Sequence, residues 1–197
     1  MNQTIDYYNT NAKKFNNDTV AVEFSEVQNR FTSYLKEGAH ILDFGCGSGR
    51  DSLAFQKKGY DVDAIDGSEE MCKLASKLIG KEVQCLNFLD FDKTDEYDGI
   101  WACATLLHLT SEELLQVMGR LEQALKEDGY IYVSFKYGEF EGNRNGRHFT
   151  DMTEDRLKNL LITCAPRLEI VDMRVGGDCR PGREDEMWLN VIMKKGK

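Results

Sequence analysis

Several things are missing from these 197 residues, and each absence removes a class of protein. No apolar stretch approaches the ~20 residues of a membrane-spanning helix, so no membrane partner is expected. No CxxC pair occurs among Cys46, Cys72, Cys85, Cys103, Cys164 and Cys179. Scattered cysteines, several inside apolar runs, behave as small hydrophobes, and neither a metal site nor a disulfide framework is expected. Positive charge is short: 25 Lys and Arg stand against 34 Asp and Glu, a formal charge of -9. A general nucleic-acid binder carries a basic stripe for the phosphates, so nucleic acid is not the expected partner. Met1 to Asn17 is polar, with no apolar core ahead of a cleavage site, and no secretory signal is read there. The expected compartment is a reducing cytoplasm.

What is present is a repeated strand–helix pattern, with no internal repeats and no low-complexity linker. Val20, Phe24, Val27, Phe31 and Leu35 recur three or four apart and predict a helix over 20–35. Strands are predicted over 39–44, 60–65, 83–88, 97–102 and 130–135. Helices are predicted over 50–58, 68–78, 111–126 and 154–164, with Thr110 and Glu113 forming a capping box and Thr153 a cap. Two final strands, 168–175 and 187–193, have no helix between them and read as an antiparallel pair at one sheet edge. Alternation of this kind implies a single α/β domain over 1–197, with a mostly parallel sheet covered on both faces. Residues 137–152 form the longest segment without a clear period and read as a functional loop.

The segment Ile41-Leu42-Asp43-Phe44-Gly45-Cys46-Gly47-Ser48-Gly49-Arg50 carries the most information. A buried strand runs into three glycines at alternate positions, a turn that admits positive φ and close approach of a ligand. Ligands of such sheets collect beyond the carboxyl ends of the strands. Asp66, ending the next strand, is placed to accept hydrogen bonds from ribose hydroxyls. A dinucleotide fingerprint would read GxGxxG and would set a pyrophosphate on the helix N-terminus. Here the spacing is GxGxG, and Asp43 would repel an anion and attract an ammonium. Coulomb attraction over ~4 Å is on the order of 4 kcal/mol at intermediate dielectric, before desolvation. S-adenosylmethionine, an adenosine compound with a cationic end and no phosphate, answers the description.

These residues resemble those of the class I S-adenosylmethionine-dependent methyltransferases, and the GCGxGRD segment is most similar to the small-molecule, tellurite-resistance-type branch. The resemblance runs over nearly the whole chain and is strongest between Tyr8 and Gly129. It implies a Rossmann-like three-layer sandwich whose seven-stranded, mostly parallel sheet ends in an antiparallel strand. It also implies S-adenosyl-L-methionine as cofactor and S-adenosyl-L-homocysteine as product. Asp43, Gly45, Cys46, Gly47 and Gly49 would hold the methionine part, and Asp66 with Gly67 the ribose. Met71 would border the adenine, while Asp90 would meet its amine and Phe91 cover its ring. Ala104 falls in the segment 102–109, which resembles the motif lining the methyl-donor end. Residues 1–36 would form a helical lid, with Tyr8 reaching the cofactor carboxylate and Arg50 or Arg30 adding charge.

Methyl transfer from a sulfonium is an in-line displacement, so alignment of the acceptor matters most. A soft or anionic acceptor needs no base; an alcohol, a phenol or a protonated amine does. His108, after the fourth strand, is the candidate base, with packing between strand and helix as the plainer alternative. Residues 137–152 would cover the acceptor, with Arg144 and Arg147 holding an anionic group and Tyr137 and Phe149 forming an aromatic wall. Arg174, Arg180 and Arg183 are further candidates; pairing with Asp151, Asp178 or Glu184 is the alternative for this whole set. The NPPY or DPPY segments of base-modifying relatives are absent. A small molecule is therefore the expected substrate, and the protein a monomer or homodimer. Two other readings stand beside this one: an inactive S-adenosylmethionine-binding sensor or partner subunit, and an NAD-dependent oxidoreductase.

Overall fold

Strand β1 (His40–Phe44) sends Ile41 to one face of a sheet and Leu42 and Phe44 to the other, and all three are fully buried. A strand covered on both faces needs a helical layer on each side, and the chain supplies both. In the computed structural model, which describes residues 2–180, 182, 183 and 185–197, β1 lies third in a seven-stranded sheet. Its companions are β2 (Asp61–Asp66), β3 (Gln84–Cys85), β4 (Tyr97–Ala102), β5 (Leu125–Lys136), β8 (Leu168–Gly177) and β9 (Met187–Lys195). The order is β3-β2-β1-β4-β5-β9-β8. The first five pair in parallel, and the final strand β9 runs antiparallel to both β5 and β8.

One face is covered by α2 (Ser25–Thr32), α3 (Arg50–Lys57) and α4 (Glu69–Ile79). Phe31 and Phe55 pack there on Trp101, which stacks on Tyr132 with centroids 4.0 Å apart. The other face takes α5 (Ser111–Ala124) and α6 (Glu154–Cys164), whose Leu114, Leu121, Leu157 and Leu161 meet Leu42, Phe44, Ile131 and Val133. The capping box is present: the Thr110 side chain accepts from Glu113 N, and Glu113 accepts from Thr110 N. The Ser68 and Thr153 hydroxyls cap α4 and α6 in the same way. No described helix is long and apolar enough to cross a membrane.

Four expectations change. The predicted helix 20–35 is helical only over α2; a separate helix, α1 (Asn2–Thr19), precedes it. The apolar spacing still describes one face, because Phe24, Val27 and Leu35 all pack beside Phe31. The strand expected at 83–88 stops at β3, since the Asn87 side chain accepts from Leu89 N and starts a 3-10 turn over Phe88–Asp90. The strand expected over 130–135 starts earlier: β5 begins at Leu125, directly after α5, with a bulge that holds Asp128 at φ 62°. The aperiodic segment 137–152 contains a hairpin, β6 (Glu141–Arg144) and β7 (Arg147–Thr150). Its two-residue turn is Asn145-Gly146, with φ of 50° and 80°, the pairing such a turn favours.

The turn after β1 tolerates no side chain at its first glycine. Gly45 has φ 79°, and a Cβ there would lie 2.2 Å from Thr105 Cγ2. Gly59 has φ 87°, with nothing within 4 Å of a Cβ. Gly59→Ala should therefore cost only the left-handed backbone term, about 1–2 kcal/mol. Gly45→Ala should cost clearly more, and urea denaturation of both variants checks the ranking. Equal losses would show that the Thr105 contact carries no weight.

Candidate functional site

A cavity of about 310 Å³ opens beyond the carboxyl ends of β1, β2 and β4, with α1 across it. Its floor is the glycine turn. Gly45 N and Cys46 N both donate to the Ile65 carbonyl, each at 2.9 Å, and Gly47 N donates to Asp66 Oδ2 at 2.9 Å. Ser68 N donates to Asp66 Oδ1 at 2.8 Å. Each Asp66 oxygen thus holds one backbone N–H and keeps further acceptor capacity. Burial pushes the Asp66 carboxyl up to about 6, against the lowering effect of those backbone hydrogen bonds.

Asp43 lies behind the turn, 2% exposed, and accepts from Ser52 Oγ at 2.5 Å. Burial, and then the charge of Asp51, raise its carboxyl well above the usual range. Asp51 is itself held by four donors: Gln28 Nε2, Trp101 Nε1 and the Nε and Nη2 of Arg50, at 2.7 to 2.9 Å. Among the described residues neither Asp43 nor Asp66 has an ion-pair partner, although both line the cavity. A buried and a half-buried carboxylate beside a glycine-rich turn suit a ligand that brings hydroxyl donors and a cation. They do not suit a pyrophosphate.

The far end of the cavity is built where β4 ends. Ala104, at φ 52°, donates its N–H to Ser134 Oγ at 2.8 Å, and Thr105 Oγ1 donates to the Gly45 carbonyl at 3.1 Å. His108 Nδ1 lies 2.7 Å from the His148 carbonyl, which fixes the proton on Nδ1. Nε2 is then the acceptor, and Tyr8 Oη donates to it at 2.9 Å. Burial pushes the imidazole down to about 4, with the charges of Arg147 and His148 adding to the effect and the His148 carbonyl opposing it. Arg147 Nη1 donates to Tyr8 Oη at 3.3 Å, and its guanidinium sits 4.7 Å from the Tyr7 ring and 5.1 Å from Phe149. α1 is tied down at two more points: Ser68 Oγ donates to Asn9 Oδ1, and His148 N donates to Thr4 Oγ1.

The cavity brings together Tyr8, Asp43, Gly45, Cys46, Gly47, Arg50, Asp66, Gly67, Met71, Ala104, His108, Arg147 and Phe149. Gly49 stands just outside it and caps α3 in a left-handed conformation. Four expected site residues lie elsewhere. Asp90 is exposed at the end of its 3-10 turn, and Phe91 is buried beneath the sheet, 5.3 Å from Phe44. Because that turn reverses the chain three residues early, Phe88 lines the cavity instead. Tyr137 is exposed and donates to Glu154. Arg144 is captured by the buried Asp151 through two bonds of 2.9 and 2.8 Å and lies over Phe140.

Of the remaining arginines, Arg30 and Arg174 pair with Asp172 outside the cavity. Arg180 and Arg183 line it, paired with Asp178 and Glu186; Glu184 falls outside the described residues. One wall escaped the sequence: Trp188, whose Nε1 donates to Asp178 at 3.0 Å, and Lys136, which lies over the Trp188 ring. Lys136 is the last residue of β5, so its position at a strand's carboxyl end was the available signal.

Residues 41–129 match the family model described as a methyltransferase domain. An uncharacterized methyltransferase of Staphylococcus carnosus is 28% identical over 143 residues, covering 69% of this chain and 68% of that protein. The ribosomal protein L11 methyltransferase of Dictyoglomus turgidum is 35% identical over 105 residues, covering 51% of this chain and 34% of that protein. The chain spans about half the length of relatives from Geobacillus and Bacillus subtilis. The fold is shared with the 1,6-didemethyltoxoflavin-N1-methyltransferase of Burkholderia thailandensis, solved with S-adenosylhomocysteine, at a TM-score of 0.77 and 21% identity. That match covers 98% of this chain and 85% of the other.

The raised carboxyl of Asp43 has a consequence for stability. Its neutral form is favoured by folding, so its contribution is full below the unfolded value of about 3.9 and is lost as pH rises through the folded one. Asparagine has no such dependence and can still accept from Ser52. Asp43→Asn should therefore gain stability over wild type between pH 5 and pH 9, measured by chemical denaturation. A difference that stays flat with pH would contradict a buried carboxylate with no ion-pair partner among the described residues.

Proposed function

We infer that this chain, as a class I S-adenosylmethionine-dependent methyltransferase, methylates a small molecule held between the lid α1, the hairpin β6–β7 and the ends of β4 and β5. The observation that carries the reading is the pair of carboxylates, the buried Asp43 and the half-buried Asp66, on either side of a glycine turn. Bound there, S-adenosylmethionine would supply an electrophilic methyl on a sulfonium, with a neutral thioether as the leaving group. The residues of the chain do the rest by placement and charge.

In this reading the ionised Asp66 accepts from ribose hydroxyls, and Asp43 faces the cationic end. Met71, Gly67 and Phe88 border the adenine. Gly45, Cys46 and Gly47 present backbone, and Arg50 with Tyr8 attends the carboxylate. Ala104 lies along the donor end. His108 acts as a positioning residue: neutral, with both nitrogens engaged, it holds the Tyr8 hydroxyl and through it the lid. Arg147 and Phe149 face the acceptor. Within the class, the GCGxGRD segment makes the tellurite-resistance-type branch our preferred relative, and we take 1–197 as one domain with a lid over 1–36.

Asp66→Ala should weaken S-adenosylhomocysteine binding by about 1–3 kcal/mol, the cost of a lost hydrogen bond to a charged group. Isothermal titration reads this directly, and an unchanged dissociation constant would remove the ribose assignment. Labelled S-adenosylmethionine incubated with thiols, carboxylates, amines, phenols and oxyanions should yield S-adenosylhomocysteine with one class. Failure with every class would favour a cofactor-binding sensor instead.

A further inference from the structure

Arg147 differs from the other arginines in its surroundings. Among the described residues, Arg30, Arg50, Arg144, Arg156, Arg167, Arg174, Arg180 and Arg183 each pair with a carboxylate. Arg120 is spent on the carbonyls of Leu89 and Phe91. Arg147 has no carboxylate partner there, in a protein of net charge -9. Among the described residues its buried Nε has no hydrogen-bond partner, and its one hydrogen bond goes to Tyr8, a phenol whose own proton is committed to His108.

The guanidinium is also immobilised. It lies against the rings of Tyr7 and Phe149, and the tight Asn145-Gly146 turn fixes the strand that carries it. The other ionisable groups around it are His148 on its own strand, His108 after β4, and Tyr7 and Tyr8 on the lid. None of these supplies negative charge at neutral pH in this arrangement. The carboxylate felt at Tyr8 is Asp66, already tied to Gly47 and Ser68. A half-buried cation set among aromatic rings, with a buried donor left unmade, is incomplete without an anion.

Resting on the methyltransferase reading, we propose that Arg147 is the seat of a carboxylate on the methyl acceptor. A guanidinium fork matches the planar two-oxygen geometry of a carboxylate, and its aromatic neighbours Tyr8 and Phe149 would accommodate a flat ring attached to it. The wall around it offers the acceptor no proton acceptor to spare, because His108 Nε2 is occupied by Tyr8. The nucleophile of such an acceptor is one that attacks without first giving a proton to His108.

Benzoate and selenite serve as probes, titrated calorimetrically into the protein saturated with S-adenosylhomocysteine. Benzoate should bind wild type more tightly than selenite. Its affinity should fall about tenfold or more in Arg147→Gln and recover in part in Arg147→Lys. Lys158→Gln, which removes an exposed cation on α6, should match wild type. Benzoate binding that is undetectable in wild type, indifferent to residue 147, or weaker than that of selenite would overturn the assignment. So would an Arg147→Gln variant that loses affinity for S-adenosylhomocysteine while keeping it for 5′-methylthioadenosine, because Arg147 would then hold the cofactor's own carboxylate. Should Arg147→Gln fail to fold, the Arg147→Lys comparison carries the same decision. Wild type that binds no S-adenosylhomocysteine would instead sink the underlying methyltransferase reading.

Discussion

Three consecutive N–H groups after β1 are all spent on the end of β2: Gly45 and Cys46 on the Ile65 carbonyl, Gly47 on the Asp66 carboxylate. Thr105 then closes on the Gly45 carbonyl from the end of β4. This stitching of three strand ends leaves no room for a side chain at Gly45, and it fixes where every cavity-facing group can stand. Asp66 is pointed by the same bonds that hold the turn. Ser68, which completes them, also caps α4 and holds α1 through Asn9. Fold, carboxylate and α1 are therefore parts of one hydrogen-bonded arrangement.

That arrangement is electrostatically costly. Asp43 is buried and Asp66 half-buried, neither has an ion-pair partner among the described residues, and both resist ionising. Groups that weaken the protein and sharpen its preference for a ligand mark a functional site. The opposite end has the reverse imbalance, with Arg147 cationic and unpaired by any described carboxylate. Between these poles lies a cavity whose Asp43 and Asp66 end favours a cation and whose Arg147 end favours an anion.

The sheet is legible where β1, β2, β4, β5 and β9 carry apolar residues of the right period, and Thr110 with Glu113 marks the start of α5. The glycine turn and Asp66 were legible because few other residues can stand there. Asp90 and Phe91 were misplaced because Asn87 ends the strand with a side-chain bond that no hydrophobic period reveals. The hairpin β6–β7 leaves no periodic signal because its strands are short and polar, although Asn145-Gly146 is a strong turn pair. Arg144 and Arg147, three residues apart, looked equivalent in the sequence. Only the position of Asp151 separates them, and that contact depends on tertiary structure. Trp188 reaches the cavity from the last strand, whose insertion beside β5 is a property of topology.

The central claim is that the turn between Asp43 and Asp66 selects a phosphate-free, cationic adenosine cofactor. Parallel calorimetric titrations with S-adenosylmethionine and with NAD test it most directly. The account predicts one-to-one binding of S-adenosylmethionine and no measurable heat with NAD. Binding of NAD without S-adenosylmethionine would contradict it.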